Sequence, residues 1–396
     1  MYNIPFDKID KTEFLTNYWQ KAPCLFKGAF ANPPNALSAD ELAGLSLEED
    51  VESRLIINSD KKWTVEHGPF EASRFQRLPE NNWTLLVQSV DHWHSAVRQL
   101  LTHFAFIPRW RYDDIMISFA TDGGGVGPHA DNYDVFLLQS QGERRWRVGT
   151  KGQTGCKPGG DAQSNDGMCL LGEFSASIDY LMQPGDMLYI PPDTPHWGVS
   201  VGESIGYSVG YRTMQAHQLL ALLTEQASEN NCFNQFFADA YRSSVNHSNH
   251  LDHQMIEWAQ LELRKLADKP DQIARLLSQQ LSLSKLDVAL EVEGDTLQDN
   301  SDMIQEITKH SSIKLEEQVC VNWIRMKNKI LLNIEGERFE FEAKDENAIS
   351  KLASYQTIPI NLFNCNLINY PDELFDFPDV LTNLIDRGYI KLVREK

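Results

Sequence analysis

Between residues 115 and 211 the chain reads as short apolar runs cut apart by glycine and proline. Residues 115–120, 135–139, 144–148, 187–190 and 199–211 have strand-like length and composition. Between them stand Asp122-Gly123-Gly124-Gly125-Val126-Gly127-Pro128, Ser140-Gln141-Gly142, Pro184-Gly185-Asp186 and Pro191-Pro192. Many short strands with such punctuation indicate an antiparallel barrel or jelly roll. Residues 135–148 are expected to form a hairpin that turns at Ser140-Gln141-Gly142. Residues 150–173, rich in Gly, Asp, Gln and Ser, read as an inserted surface loop.

Inside this frame lies Pro128-His129-Ala130-Asp131. Side chains two apart on an extended segment share a side, so His129 and Asp131 can converge on one point. His196, expected at the end of the 187–190 strand after Pro191-Pro192-Asp193-Thr194-Pro195, can complete the set. Two imidazoles and a carboxylate on one face of a metal, with other positions open, form the facial triad of non-haem Fe(II) oxygenases. A closed structural site would use four ligands. The glycine run lacks the Gly-Lys-Ser/Thr of a phosphate loop and the spacing of a dinucleotide fingerprint. It is expected to be a flexible turn that delivers the chain to His129 and lets a substrate backbone come close.

A 2-oxo acid chelates iron through its carboxylate and ketone, and its far carboxylate then needs a cation. A forked guanidinium is the best match. Arg144, Arg145 and Arg147 lie on the strand after the His-x-Asp. Alternation puts Arg144 on the face of Trp146, the expected inward residue, so Arg144 is the expected buried cation. Such a cation is costly without a partner, which a ligand carboxylate would supply. Ser118 is a candidate hydroxyl donor to the same carboxylate; a small core residue bonded to backbone is an equal alternative.

The rest of the chain frames this region. Phe14, Leu15, Tyr18 and Trp19 recur at helical spacing and predict an amphipathic entry helix, ended by Pro23 and followed by a strand at 24–26. Strands are expected at 55–57, 63–66 and 83–88. His92 and His94 fall at a helix start, where residues two apart do not face each other, so they are not expected to bind metal. From Thr213 the pattern becomes helical, over 216–226, 233–241, 255–266 and 273–286. His247, His250 and His253 sit in a polar stretch read as an exposed loop. Residues 287–306 hold several acids and no Lys or Arg, and read as a linker. Strands follow at 319–323, 330–334 and 338–342. A helix at 380–387, Gly388 and a strand at 389–393 suggest a winged-helix-like module.

The formal net charge of −20 argues against nucleic-acid or anionic-membrane binding and suits a basic partner. The six cysteines form no C-x-x-C pair, and no apolar stretch is long enough to span a membrane. No secretory signal is expected at the start, and the expected setting is a reducing cytoplasm.

Together, Phe14-Leu15, Tyr18-Trp19-Gln20-Lys21, Gly123 to Asp131, Tyr133-Asp134-Val135-Phe136, Arg144-Arg145-Trp146-Arg147 and Gln183 to Pro192 with His196 closely resemble the bacterial JmjC-type ribosomal oxygenases. The resemblance covers most of residues 1–212. It implies an α+β chain: a double-stranded β-helix (jelly-roll, cupin) catalytic domain over 1–212, a helical dimerisation region over 213–286 and a winged-helix-like domain over 287–396. It implies Fe(II) on His129, Asp131 and His196, and 2-oxoglutarate on Arg144 with Ser118 assisting. The implied reaction uses O2 to hydroxylate arginine C3 of a basic large-subunit ribosomal protein, and the implied assembly is a homodimer. Asp122 is a candidate for meeting the substrate guanidinium. Other readings are a histidyl hydroxylase, a metal-dependent cupin that uses no 2-oxo acid, and a non-catalytic scaffold.

Overall fold

The computed structural model describes residues 5–59, 62–152, 171, 175–212, 214–229, 236–238, 253–285, 312–363, 367–369 and 374–393. The chain divides into two compact units, Met1–Thr213 and Met214–Lys396.

Among the described residues, nine antiparallel strands build the first unit: β1 (Cys24–Phe26), β2 (Ser53–Ser59), β3 (Lys62–His67), β4 (Trp83–Val87), β5 (Tyr112–Ala120), β6 (Asp134–Val148), β7 (Ile178–Met182), β8 (Met187–Ile190) and β9 (His196–Tyr211). Their order is β1-β8-β6-β9-β5-β4-β2-β3, with β7 also on β6. The long pair β6 and β9 is the spine. Along its other edge, the first half of β6 pairs with β8 and the second half with β7. This is the antiparallel roll expected from the punctuation.

The hairpin expected at Ser140-Gln141-Gly142 does not form. The chain continues across these residues as one strand, and both halves pair with β9. Gln141 pairs with Ile205 and Glu143 with Val201, so residues 202–204 of β9 bulge opposite Gly142. Gly142 has φ +63°, and a Cβ there would lie 2.0 Å from the Glu203 carbonyl oxygen. A glycine between apolar runs marks a bulge as readily as a turn, and here the bulge wins. His196 is also placed differently from expectation. It opens β9 rather than closing β8.

Alternation divides the sheet faces. Ile115 and Ile117 of β5 join Phe136, Tyr207, Val209 and Tyr211 in the main core. The entry helix Lys11–Asn17, capped by the Asp10 carboxylate, sends Phe14 into this core against Tyr189 at 5.1 Å between ring centroids. Burying each such side chain contributes roughly 1.5–3 kcal/mol. Beside it, Asp134 is fully buried. It accepts from Tyr189 Oη at 2.6 Å, Arg111 Nη2 at 2.8 Å and Gln20 Nε2 at 3.1 Å. Ser118, of opposite parity to the isoleucines, faces Arg144.

In the second unit, helices Ala216–Glu229, His253–Ala267 and Pro270–Gln280 lead into two antiparallel sheets. One is a meander of five strands that begins Val321–Arg325, Lys329–Ile334, Glu337–Glu342. Its second turn is Glu335-Gly336, with φ +47° and +80°, the left-handed pair of a tight hairpin. The other sheet centres on Ser312–Leu315, with Ile358–Pro359 and Ile390–Val393 on either side. Helix Phe377–Asp386 precedes Gly388 and the last strand, as its spacing predicts.

The helix expected over 273–286 stops at Gln280. Of 233–241 only 236–238 are described, and these are not helical. His247, His250, the 287–306 linker and most of the 150–173 loop lie outside the described residues. Among the described residues, no helix is long and apolar enough to cross a membrane.

Candidate metal centre

The glycine run before His129 is packed rather than flexible. Gly123 N–H donates to the Ser200 carbonyl at 3.0 Å, and Ser200 N–H donates to the Gly124 carbonyl at 2.9 Å. A Cβ on Gly124 would lie 2.3 Å from the Trp83 carbonyl, and one on Gly125 2.3 Å from the Gly198 carbonyl. The backbone that these glycines admit is therefore the protein's own. The turn is stitched between β4 and β9, and it delivers His129 opposite the start of β9.

There the two histidines are joined backbone to backbone. His129 N–H donates to the His196 carbonyl at 3.0 Å, and His196 N–H to the His129 carbonyl at 2.8 Å. Asp193 N–H donates to the Asp131 carbonyl at 2.8 Å, which ties down the third residue. The side chains then converge. His129 Nε2 is 3.9 Å from Asp131 Oδ1, His196 Nε2 is 3.5 Å from Asp131 Oδ2, and the two ring centroids are 4.2 Å apart. One ligand atom from each of the three lies within 4.8 Å of the others.

Each imidazole has its other nitrogen engaged. Nδ1 of His129 faces the Gly127 carbonyl and Nδ1 of His196 the Thr194 carbonyl, both at 2.9 Å. A carbonyl only accepts, so Nδ1 carries the proton and Nε2 keeps a free lone pair. Burial, helped by the neighbouring His129, pulls the pKa of His196 down to about 4. Its ring is thus neutral at ordinary pH, the form that binds metal. Trp146 lies 5.9 Å from the His196 ring, in a space that Gly198 leaves open.

Arg144 forms the second part of the site. It is 8% exposed, whereas Arg145 stands outside in a forked pair with Asp179. The alternation expected along 144–147 is therefore present. Arg144 Nη1 donates to Ser118 Oγ at 2.9 Å and Nη2 to Ser204 Oγ at 3.0 Å, while its Nε is buried with no partner. No acid among the described residues pairs with it, and burial alone pulls its pKa down to about 10. A buried cation with spare donors fits a carboxylate from outside the chain.

The five residues expected to bind metal and co-substrate thus fall into two groups: His129, Asp131 and His196 where the segment before β6 meets the start of β9, and Arg144 with Ser118 on β6 and β5, four positions along the β6–β9 ladder from His196. Asp122 is not among them. Its Oδ1 accepts from Gly202 N–H at 2.8 Å, a structural bond to the β9 bulge. Ser200, Ser204 and Gly206 were not expected at the site. Part of the signal is present: Tyr207, Val209 and Tyr211 take one face of 199–211 into the main core, so Ser200, Ser204 and Gly206 fall on the opposite face, the side of Ser118 and Arg144.

A family profile described as a JmjC domain matches residues 99–219. The ribosomal protein uL16 3-hydroxylase of Escherichia coli is 42% identical over 227 residues, 57% of this chain and 59% of that protein. A probable ribosomal oxygenase of Haemophilus influenzae is 41% identical over 202 residues, 50% of this chain and 48% of that protein. The sequence match thus spans less than two thirds of either relative. The fold likeness runs further. The structure of YcfD, a ribosomal oxygenase from Escherichia coli in complex with cobalt and 2-oxoglutarate, superposes with a TM-score of 0.79 at 30% identity, over 99% of each chain. The chain therefore belongs to the JmjC-domain ribosomal oxygenase family.

Proposed function

We propose that this chain is an Fe(II)- and 2-oxoglutarate-dependent hydroxylase that oxidises arginine C3 in a large-subunit ribosomal protein. The observation that carries this reading is Arg144, a buried guanidinium with no acidic partner among the described residues, set beside an open two-histidine, one-aspartate corner. A cupin that needs no 2-oxo acid has no use for that cation. A 3-hydroxylation of a ribosomal protein is what the name of the Escherichia coli relative states, and arginine as the side chain is part of the proposal.

Bound iron and 2-oxoglutarate would supply the oxidising chemistry, with decarboxylation to succinate and transfer of one oxygen atom of O2 into a C–H bond. The chain's own residues do the rest. His129, Asp131 and His196 offer three ligands from one side and leave the other side for co-substrate and O2. Arg144, held by Ser118 and Ser204, receives the distal carboxylate and fixes which end of the dicarboxylate meets the metal. Buried Trp146, Val148 and Leu188 keep the neighbouring wall dry. The net charge of −20 favours encounter with a basic protein. The exposed Asp122 keeps its second carboxylate oxygen for a substrate cation.

A cytoplasmic homodimer is part of the same proposal. Leu220, Leu261 and Leu263 are 55%, 52% and 60% exposed on the helices of the second unit, apolar surface that contact with a second copy would cover. Light scattering measures the assembly. The winged-helix-like reading of residues 287–396 rests on helix Phe377–Asp386 and the strand after it, and no DNA contact is proposed for so acidic a chain.

The decisive experiment incubates the protein with Fe(II), 2-oxoglutarate and isolated ribosomal proteins. A one-oxygen mass gain on an arginine of a large-subunit protein, with succinate formed in step, is expected. Succinate without an oxidised arginine would redirect the substrate, and neither product would overturn the reading.

A further inference from the structure

The bulge of β9 places two serines side by side. Because residues 202–204 bulge from the β6 ladder while Ser204 stays paired with Ala120 of β5, Ser200 Oγ comes within 2.7 Å of Ser204 Oγ although the residues are four apart in sequence. Both are buried, at 2% and 1% exposure. Each hydroxyl has one proton, which sets the direction of the chain of bonds. Ser200 donates to the Gly202 carbonyl at 2.6 Å, so Ser204 donates to Ser200. The Ser204 lone pairs are then free for Arg144 Nη2 at 3.0 Å. On the other side, Ser118 donates to the Gly206 carbonyl at 3.3 Å and accepts from Nη1. Of the five guanidinium N–H groups, two are thus engaged and three remain, including the buried, unpartnered Nε.

We infer that Ser204, backed by Ser200, is a positioning residue for Arg144 and so a determinant of 2-oxoglutarate affinity in this chain. The two serines grip the guanidinium by one N–H on each Nη and turn the remaining donors toward the co-substrate. Gly206 abuts this arrangement: a Cβ there would lie 3.4 Å from both Arg144 Nη1 and Ser118 Oγ, an ordinary van der Waals contact. The inference rests on the 2-oxoglutarate reading above.

The test is calorimetric titration of 2-oxoglutarate into the full-length protein loaded with Mn(II), without turnover. Ser204→Ala is expected to weaken binding about tenfold, the loss of one oriented hydrogen bond to a charged group. Ser204→Thr, which keeps the hydroxyl, is expected to restore it, and Ser200→Ala to weaken it about threefold. In turnover assays of Ser204→Ala the loss should fall on KM for 2-oxoglutarate, with kcat within about twofold. A second ligand separates positioning from general damage. With 2-oxopentanoate, which lacks the distal carboxylate, Ser204→Ala and the unaltered protein should bind equally. Equal 2-oxoglutarate affinity in the two proteins, or an equal loss for both ligands, overturns the inference. Arg144→Gln distinguishes the two levels. If it loses 2-oxoglutarate while Ser204→Ala does not, only the inference fails; if it binds normally, the co-substrate reading fails with it.

Discussion

Two guanidinium groups of the first unit meet opposite fates. Arg111 donates to the fully buried Asp134 and to the Arg212 carbonyl, and lies over the Trp19 ring, so its charge is answered within the chain. Arg144 is more deeply buried but meets two neutral hydroxyls and no acid among the described residues. The first arrangement is a closed account of charge that ties the Trp19-Gln20 loop to the roll. Even there, burial pushes the Asp134 carboxyl above the usual carboxylate range despite three donors. Such pairs fix geometry more than they add stability. The second arrangement is open, and only a ligand anion completes it. The difference teaches how to tell a structural cation from a binding one: both are largely shielded from solvent, and only one lacks an acid among the described residues.

This contrast can be broken by mutation. Removing the acid of the closed pair should have the largest effect. Asp134→Ala leaves Arg111 without its counter-charge and should lower unfolding free energy by about 3–5 kcal/mol in denaturant titrations. Retention of full stability would show that the pair is dispensable. Arg144→Gln comes next. It should reduce 2-oxoglutarate-dependent succinate formation by about a hundredfold or more, while the melting temperature of the ligand-free protein holds or rises. A fall in melting temperature as large as that of Asp134→Ala would erase the distinction between the two sites. Third, 2-oxoglutarate at about ten times its Kd, with Mn(II) present, should stabilise the unaltered protein by about 1.4 kcal/mol and Arg144→Gln not at all. Smallest is the effect of Arg145→Ala. Among the described residues that exposed side chain pairs with Asp179 at the rim, so turnover and melting temperature should stay unchanged. A turnover loss there would mean that the inward and outward faces of β6 have been misassigned.

Much of this was legible in the sequence, because the signals were local and periodic. The period-two alternation of 144–147 was enough to separate Arg144 from Arg145, and His129 and Asp131 needed only the same rule. His196 required the strand pattern as a whole, and its place at the start of β9 was missed because Pro191-Pro192 looked like an ending. What stayed hidden was non-local. Gly142 reads as a hairpin turn until the Glu203 carbonyl is seen to fill the place of its side chain. The glycines before His129 read as freedom, whereas the carbonyls of Trp83 and Gly198 make them a necessity. Ser200 and Ser204 become neighbours only because β9 bulges, and no spacing rule for a regular strand brings residues four apart into hydrogen-bond contact. Asp122 was read as a substrate contact, and its bond to Gly202 gives it a first duty in holding that bulge.

The backbone bonds that join His129 to His196 bear on which metal the site takes. The spacing of the two imidazoles is set by main-chain hydrogen bonds and the tautomers by two carbonyls, so the chain's own backbone shapes the corner. Three nitrogen and oxygen donors with vacant positions impose no shape that divides one first-row divalent ion from the next. The general order of affinity places Fe(II) below cobalt, nickel and copper. Iron therefore does not win this site by fit, and which ion occupies it is decided by what the surroundings supply.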